Sequence, residues 1–215
     1  LDQHAVLKAG MTIRDVLQSA FASLFDEEAK MNKIYEQMGD PEMADKMDQM
    51  LEETATIQDY LNMHDFYMID AKVDEVARAF GLVELGLDKD VTELSGGQRT
   101  KILLAKLLLE KPDILLLDEP TNYLDAEHIF WLQRYLQEYE NAFVLISHDV
   151  PFLNSVINII YHVEDCELAR YVGDYEKFQE VYEMKKAQKQ AAFDRQQKEI
   201  AGLKDFVARN KARVA

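Results

Sequence analysis

Three short segments carry residue types suited to handling a phosphate group. Leu94, Ser95, Gly96, Gly97 and Gln98 open an apolar-periodic stretch that runs to Pro112. Ser95 is a good helix N-cap and Gln98 stands at the third helical position, so a capping box accounts for both. The two glycines also remove side chains where a ligand could approach, leaving backbone N–H groups and the helix dipole to face an anion. Farther along, Ile114, Leu115, Leu116 and Leu117 deliver Asp118 and Glu119 at the end of an apolar run. Asp118 there suits orientation of a magnesium ion, often through water, and Glu119 suits polarisation of an attacking water as a general base. Four apolar residues and two acids are also what a plain strand end looks like. The third segment is Ser147, His148 and Asp149, which closes the next apolar run. An isolated histidine is usually structural; beside a phosphate site, an imidazole that donates to a γ-phosphate is the better reading.

Positioning these groups requires strands that end at one edge and a helix that starts beside them. The runs 114–117 and 143–146 read as strands buried on both faces, as in a helix-covered parallel sheet, with a helix at 102–109 before the first and one at 129–136 between them. Asp125 is placed to cap the second of these helices. Two further strands, 157–163 and 167–172, flank a turn near Asp165. From Tyr175 onward only Gly202 interrupts a continuous helical composition, which predicts a long exposed helix.

The segment before Leu94 is written differently. Thr12 and Asp15 fit a capping box, and Leu17, Phe21, Leu24, Met31, Tyr35 and Met38 recur at helical spacing. Gly39, Asp40 and Pro41 break that helix. Met43, Met47, Met50, Ile57 and Leu61 give a second stripe, so an antiparallel hairpin is expected, with the methionines serving as helix–helix core. A shorter helix carrying Val73, Val76, Ala77 and Phe80 ends at Gly81. Gly81 and Gly86 have the spacing of a phosphate-binding loop, but Leu87 and Asp88 stand where Lys and Ser or Thr are required, so the match fails.

Composition fits this α/β reading. The chain has 215 residues, 48% hydrophobic, with a single cysteine, Cys166, and no apolar run of the roughly 20 residues a membrane-spanning helix needs. A reducing cytoplasm is the expected location, without a membrane partner. The opening on Leu1 rather than Met suggests a fragment. The net charge of -16 is unevenly spread: nine Lys or Arg face three acids from Met184 onward, a balance of +6, which leaves -22 for the preceding body.

Taken together, these segments resemble the ATP-binding-cassette ATPases. The resemblance implies that Leu94–Gln98 is the signature motif, Asp118 and Glu119 the Walker B pair, Leu124 and Asp125 the D-loop, and His148 the switch histidine. It further implies that Gln3 is the Q-loop glutamine, contacting magnesium and nucleotide. ATP and Mg2+ are the implied ligands, bound between two cassettes, with Ser95, Gly96, Gly97, Gln98 and Asp125 facing nucleotide. The string from Asp118 to Asp125, Asp-Glu-Pro-Thr-Asn-Tyr-Leu-Asp, is similar to that of the F subfamily, tandem cassettes that act on ribosomes, although His is usual at the position of Tyr123. Tyr171, Val172, Gly173, Asp174 and Tyr175 resemble the exit from that subfamily's first cassette.

The organisation implied is an incomplete cassette core at residues 1–10 and 93–174, an inserted helical subdomain at 11–92 and a basic linker helix at 175–215. The implied partners are a second cassette of the same chain and the ribosome, with rRNA and tRNA contacted through the linker. By themselves the basic residues fit a solvated charged helix; with the resemblance, RNA contact is the better reading. The alternative is the ATPase subunit of a membrane transporter, which shares the core motifs; against it stand the exit segment around Gly173 and the long charged helix. A chromosome-organising or DNA-repair ATPase would need a long coiled coil where only a short hairpin stands.

Overall fold

A computed structural model describes residues 7–211, and the chain divides into two compact units, one ending at His148 and the other starting at Asp149. In the first unit, α1 (Ile13–Gln18) starts at the Thr12 capping box: Thr12 Oγ1 accepts from the Asp15 N–H at 3.1 Å and Asp15 Oδ2 accepts from the Thr12 N–H at 2.8 Å. The expected continuous helix to Met38 is interrupted. Residues 19–21 form a tighter turn before α2 (Ala22–Met38), as the Ser19 hydroxyl donates to the Val16 carbonyl at 2.6 Å and competes for the helical backbone. The second stripe also starts later than its apolar spacing suggests. Residues 41–46 form a 3-10 segment, capped by Asp40 with Pro41 at its start, and α3 (Met47–Met63) follows.

α2 and α3 pack as a hairpin around Leu24, Met31, Met50, Ile57 and Leu61. Thr54 is buried among them, but its hydroxyl donates to the Met50 and Leu51 carbonyls, so no polar group is stranded. Tyr35, expected in the stripe, is 48% exposed. α4 (Ile69–Ala79) buries Val73, Val76 and Ala77, and the chain turns at Phe80 and Gly81. Gly81 and Gly86 both take positive φ, 62 and 86, and beyond them the Leu87 and Lys89 carbonyls accept the free N–H groups of Arg14 and Ile13 at the start of α1, at 3.0 and 3.1 Å.

α5 (Gly96–Glu110) leads into β1 (Ile114–Asp118), α6 (Ala126–Gln137) and β2 (Ala142–Ile146). β1 and β2 are parallel, with Asp118 opposite Ile146. The expected burial on both faces is not what forms. Leu115 and Leu117 are buried, whereas Ile114, Leu116, Val144 and Ile146 are each more than half exposed. The described residues supply a covering layer to one face only, and an all-apolar strand does not itself determine how many layers it meets. Tyr135 ties α6 to the end of α5 by donating to the Leu108 carbonyl at 2.7 Å, and burial pushes its phenol pKa up.

In the second unit, α7 (Val150–Val156) precedes the antiparallel pair β3 (Ile159–Glu164) and β4 (Glu167–Val172), joined through Asp165 and Cys166, both at positive φ. β3 begins two residues after the first apolar position expected in it. α8 (Tyr175–Lys211) is 37 residues long, as its composition predicts. Its root is packed by aromatics: Phe178 lies 4.9 Å from Tyr171 and 5.3 Å from His162, and Tyr182 donates to Glu164 at 2.7 Å. Lys185 lies over the Tyr171 ring at 4.6 Å, and Lys189 pairs with Asp165. An open cleft of about 600 Å3 lies between this face of the strand pair and α8. No described helix is long and apolar enough to cross a membrane.

Candidate active site

The start of α5 is a reciprocal capping box. Ser95 Oγ accepts from the Gln98 N–H at 3.3 Å, and Gln98 Oε1 accepts from the Ser95 N–H at 2.9 Å. Both polar side chains of the signature segment are therefore turned onto backbone. What stays open is the glycine surface: a Cβ built on Gly96 meets nothing within 4 Å, and one on Gly97 meets only the ring of Tyr123, with Cδ1 at 3.2 Å. Open space therefore lies beside the first turn of α5 at Gly96, where a helix has N–H groups without intrahelical partners, as anion binding requires.

At the sheet edge, Asp118 ends β1 and is exposed, while Glu119 takes the left-handed conformation, φ 47. Few non-glycine residues adopt this conformation, and it carries local strain of about 1 kcal/mol or more. The strain is held by the ladder, since the Glu119 N–H donates to the Ile146 carbonyl at 2.8 Å. The turn throws the Glu119 side chain toward the end of β2, where Oε2 lies 2.7 Å from His148 Nδ1 and 3.4 Å from the His148 N–H. Glu119 is 28% exposed and His148 77% exposed, so the carboxylate is sheltered and the imidazole faces out.

The geometry suits magnesium. No cluster of three or more His, Cys, Asp or Glu side chains able to hold a metal occurs among the described residues, so a protein-only cage is absent there. A single exposed carboxylate at a strand end matches an ion that keeps waters and takes its other ligands from phosphate. When bound, such an ion neutralises charge on the phosphoryl oxygens. Gln3 lies outside the described residues.

Asp125 caps α6, accepting from the His128 N–H at 3.2 Å. That bond, followed by the nearby charges of His128 and Lys101, holds its carboxyl below the ordinary carboxylate value. The site residues thus fall into two groups: Glu119 with His148, and the start of α5 with the 123–128 segment. Sequence reasoning missed Lys101 and His128. The available signal was an Asp-x-x-His spacing at a helix start, which placed a ring over the cap without saying what it would meet.

Comparison with known proteins gives a consistent picture. The family model described as ABC transporter matches residues 1–122, and a second model with the same description matches residues 161–215. The uncharacterized ABC transporter ATP-binding protein YfmM of Bacillus subtilis (strain 168) is 67% identical over 215 residues, covering 100% of this chain and 41% of that protein. The energy-dependent translational throttle protein EttA of Haemophilus influenzae is 35% identical over 210 residues, covering 98% of this chain and 37% of its own length. The chain therefore spans about two fifths of the length of these curated relatives. A solved ATP-binding subunit of an ABC transporter superposes with a TM-score of 0.53 over 82% of this chain and 58% of its own, at 16% identity, a likeness of fold alone. A family model matches residues 1–122, more than half of the chain and including α5 and β1 with Asp118 and Glu119, so the chain belongs to the ATP-binding-cassette ATPase family and is homologous to the EttA-type proteins.

Proposed function

We propose that this chain is part of a two-cassette ATPase of the F subfamily, which hydrolyses ATP between its cassettes and acts on the ribosome during translation. The observation that carries the chemistry is the 2.7 Å contact between Glu119 and His148, made across the ends of adjacent parallel strands. Glu119 is the general base. Its Oε2 lies against the imidazole, and a γ-phosphate competing for that imidazole would free the carboxylate to take a proton from water. Asp118 serves magnesium, as does Gln3. Gly96 and Gly97, capped by Ser95 and Gln98, present the α5 N-terminus to the nucleotide held by the opposite cassette, and Asp125 faces the same boundary.

The ribosomal part of the reading is supported by the relative named as a translational throttle. It is also supported by the basic stretch of α8, in which Lys198, Lys204 and Arg209 suit phosphate contacts to rRNA or tRNA. Residues 1–10 and 93–174 then act as cassette core, 11–92 as helical subdomain and 175–215 as linker, in a cytoplasmic protein. The 215-residue sequence has no glycine-rich loop with Lys and Ser or Thr to anchor phosphates, so by itself it does not turn over ATP.

The test uses a two-cassette protein containing this chain, with single-turnover hydrolysis and ATP-dependent co-sedimentation with ribosomes. Glu119→Gln is expected to slow hydrolysis by about 100-fold or more while ATP still binds, trapping the protein on the ribosome. Asp118→Asn is expected to lose productive ATP binding and trapping together. Near-normal hydrolysis by Glu119→Gln, or equal trapping by both variants, refutes the division of roles. Absence of any ATP-dependent ribosome association refutes the ribosomal reading.

A further inference from the structure

Gly97 and Lys101 are four residues apart and share one face of α5. The 123–128 segment lies on that face and touches it twice. Tyr123 lies against Gly97, and one turn along, Lys101 Nζ is 3.3 Å from His128 Nδ1, which is itself 2.9 Å from Asp125 Oδ2. The His128 side chain is only 12% exposed. Its ring runs parallel to Phe80, 8° between planes, and a Cβ on Gly81 would sit 3.0 Å from Nε2. Phe80 is fully buried and edge-on to Trp131. Apolar neighbours thus fix the plane and depth of the imidazole, and its Nδ1 edge is the part that meets charged groups.

Capping does not require this arrangement. The cap is the bond from the His128 backbone N–H to Asp125 Oδ1, and any residue but proline at 128 supplies it. A solvated side chain there would not need the stack on Phe80, whereas Gly81 is a glycine for its own reason, a φ of 62 at the turn after α4. The side chain adds a choice at one atom. Nδ1 donates to Asp125 when it carries a proton and accepts from the Lys101 ammonium when it does not, never both. Where Lys101 stands therefore decides how the second carboxylate oxygen of Asp125 is held.

We propose that His128 is a positioning residue: together with Tyr123 it straps the 123–128 segment onto the Gly97–Lys101 face, so that the signature helix of a cassette aims its own Asp125. The inference rests on the reading of Asp125 as a residue of the cassette–cassette boundary. Movement of α5 then carries Asp125 with it, and nucleotide contact at one half-site is felt at the other through this chain's own residues.

Two substitutions separate coupling from packing. His128→Phe keeps the cap, the bulk and the ring stack but removes Nδ1; His128→Asn loses ring contacts but restores a polar atom near the same place. In a two-cassette protein containing this chain, His128→Phe is expected to lower kcat about 10-fold with KM for ATP within about 2-fold, because misaiming a positioned group affects the reaction more than binding. His128→Asn is expected to recover to within about 3-fold of wild type, and Lys101→Met added to His128→Phe to cause no further loss. Amide exchange over residues 123–129, without nucleotide, is expected to speed up in His128→Phe and to return toward wild type in His128→Asn. An unchanged kcat in His128→Phe, or equal losses of kcat and melting temperature in both variants, overturns the proposal. If the wild-type protein shows no ATP turnover, the proposed function fails instead, and exchange alone decides: equal rates in all three proteins overturn the strap.

Discussion

Gly97→Ala separates what the signature glycine does for the fold from what it does for nucleotide. In the interior of a helix, alanine is favoured over glycine by up to about 1 kcal/mol; at the second position of α5 a gain of roughly half that is expected. Against this stands one close contact, the new Cβ at 3.2 Å from Tyr123 Cδ1. Tyr123 is 57% exposed, so its ring can shift by the few tenths of an ångström required. That adjustment costs roughly 0.5 kcal/mol. The two effects nearly cancel, and for a protein of this size a residual of about 0.5 kcal/mol moves the melting temperature by only about 2 °C. Function should respond very differently. On the proposed function, a methyl group at Gly97 obstructs approach of the opposite cassette's nucleotide to backbone N–H groups, and ATP-driven hydrolysis in a two-cassette protein is expected to fall by about 10-fold or more. Scanning calorimetry and steady-state turnover on the same preparation make the comparison. Adding Tyr123→Ala relieves the contact without removing the methyl, so it restores any lost stability but not turnover. Normal turnover in Gly97→Ala, or a large drop in melting temperature with activity recovered by Tyr123→Ala, would refute this reasoning.

Three further outcomes are expected. Charge reversal at Lys198, Lys204 and Arg209 weakens ribosome association and makes its salt dependence shallower, by filter binding across a salt series, because fewer counterions are released; unchanged affinity and slope would mean these residues only solvate α8. Tyr135→Phe removes one of two donors to the Leu108 carbonyl, which keeps the Lys111 N–H at 3.3 Å, and lowers unfolding free energy by about 1 kcal/mol, read from the urea midpoint at constant slope. The Asp15 carboxyl is held below its ordinary 3.8, first by the backbone N–H of Thr12 and then by its hydroxyl. Its folded pKa is depressed, so its contribution is complete above the unfolded pKa and is lost as pH falls through the lower folded value; Asp15→Asn should remove that part of the acid-induced fall in melting temperature while shallow titration between neutral pH and 5 stays unchanged.

Features decided by chemistry within a few residues were legible in the sequence. The Thr12–Asp15 and Ser95–Gln98 boxes form as their spacing demands, and Asp125 caps α6 because a carboxylate two or three residues before free N–H groups has few better options. The strand ends were legible too, since a polar residue closes each apolar run, Asp118 after the first and Ser147 with His148 after the second. Burial was not. Leu115 and Leu116 are the same residue type in the same run, and one is buried while the other is 60% exposed, because layers and not residues decide which face is covered. His128 was hidden for a related reason: its meaning depends on Lys101 from α5 and Phe80 from the end of α4, positions 27 and 48 residues away in sequence, brought together only by packing.

The aromatic root of α8 turns a long helix into a pointer. At 1.5 Å per residue its 37 residues reach about 55 Å, so a tilt of about 5° at Phe178 and Tyr182 swings the far end by about 5 Å. The gearing is steep: side-chain adjustments of a fraction of an ångström between Tyr171, Phe178 and His162 are magnified into displacements as large as a nucleotide step. A root held by one hydrogen bond would dissipate such motion as bending at the hinge. The ring contacts about Phe178, with the exposed Tyr182–Glu164 and Lys189–Asp165 contacts beside them, form the mount whose compliance sets how faithfully the tip follows the base.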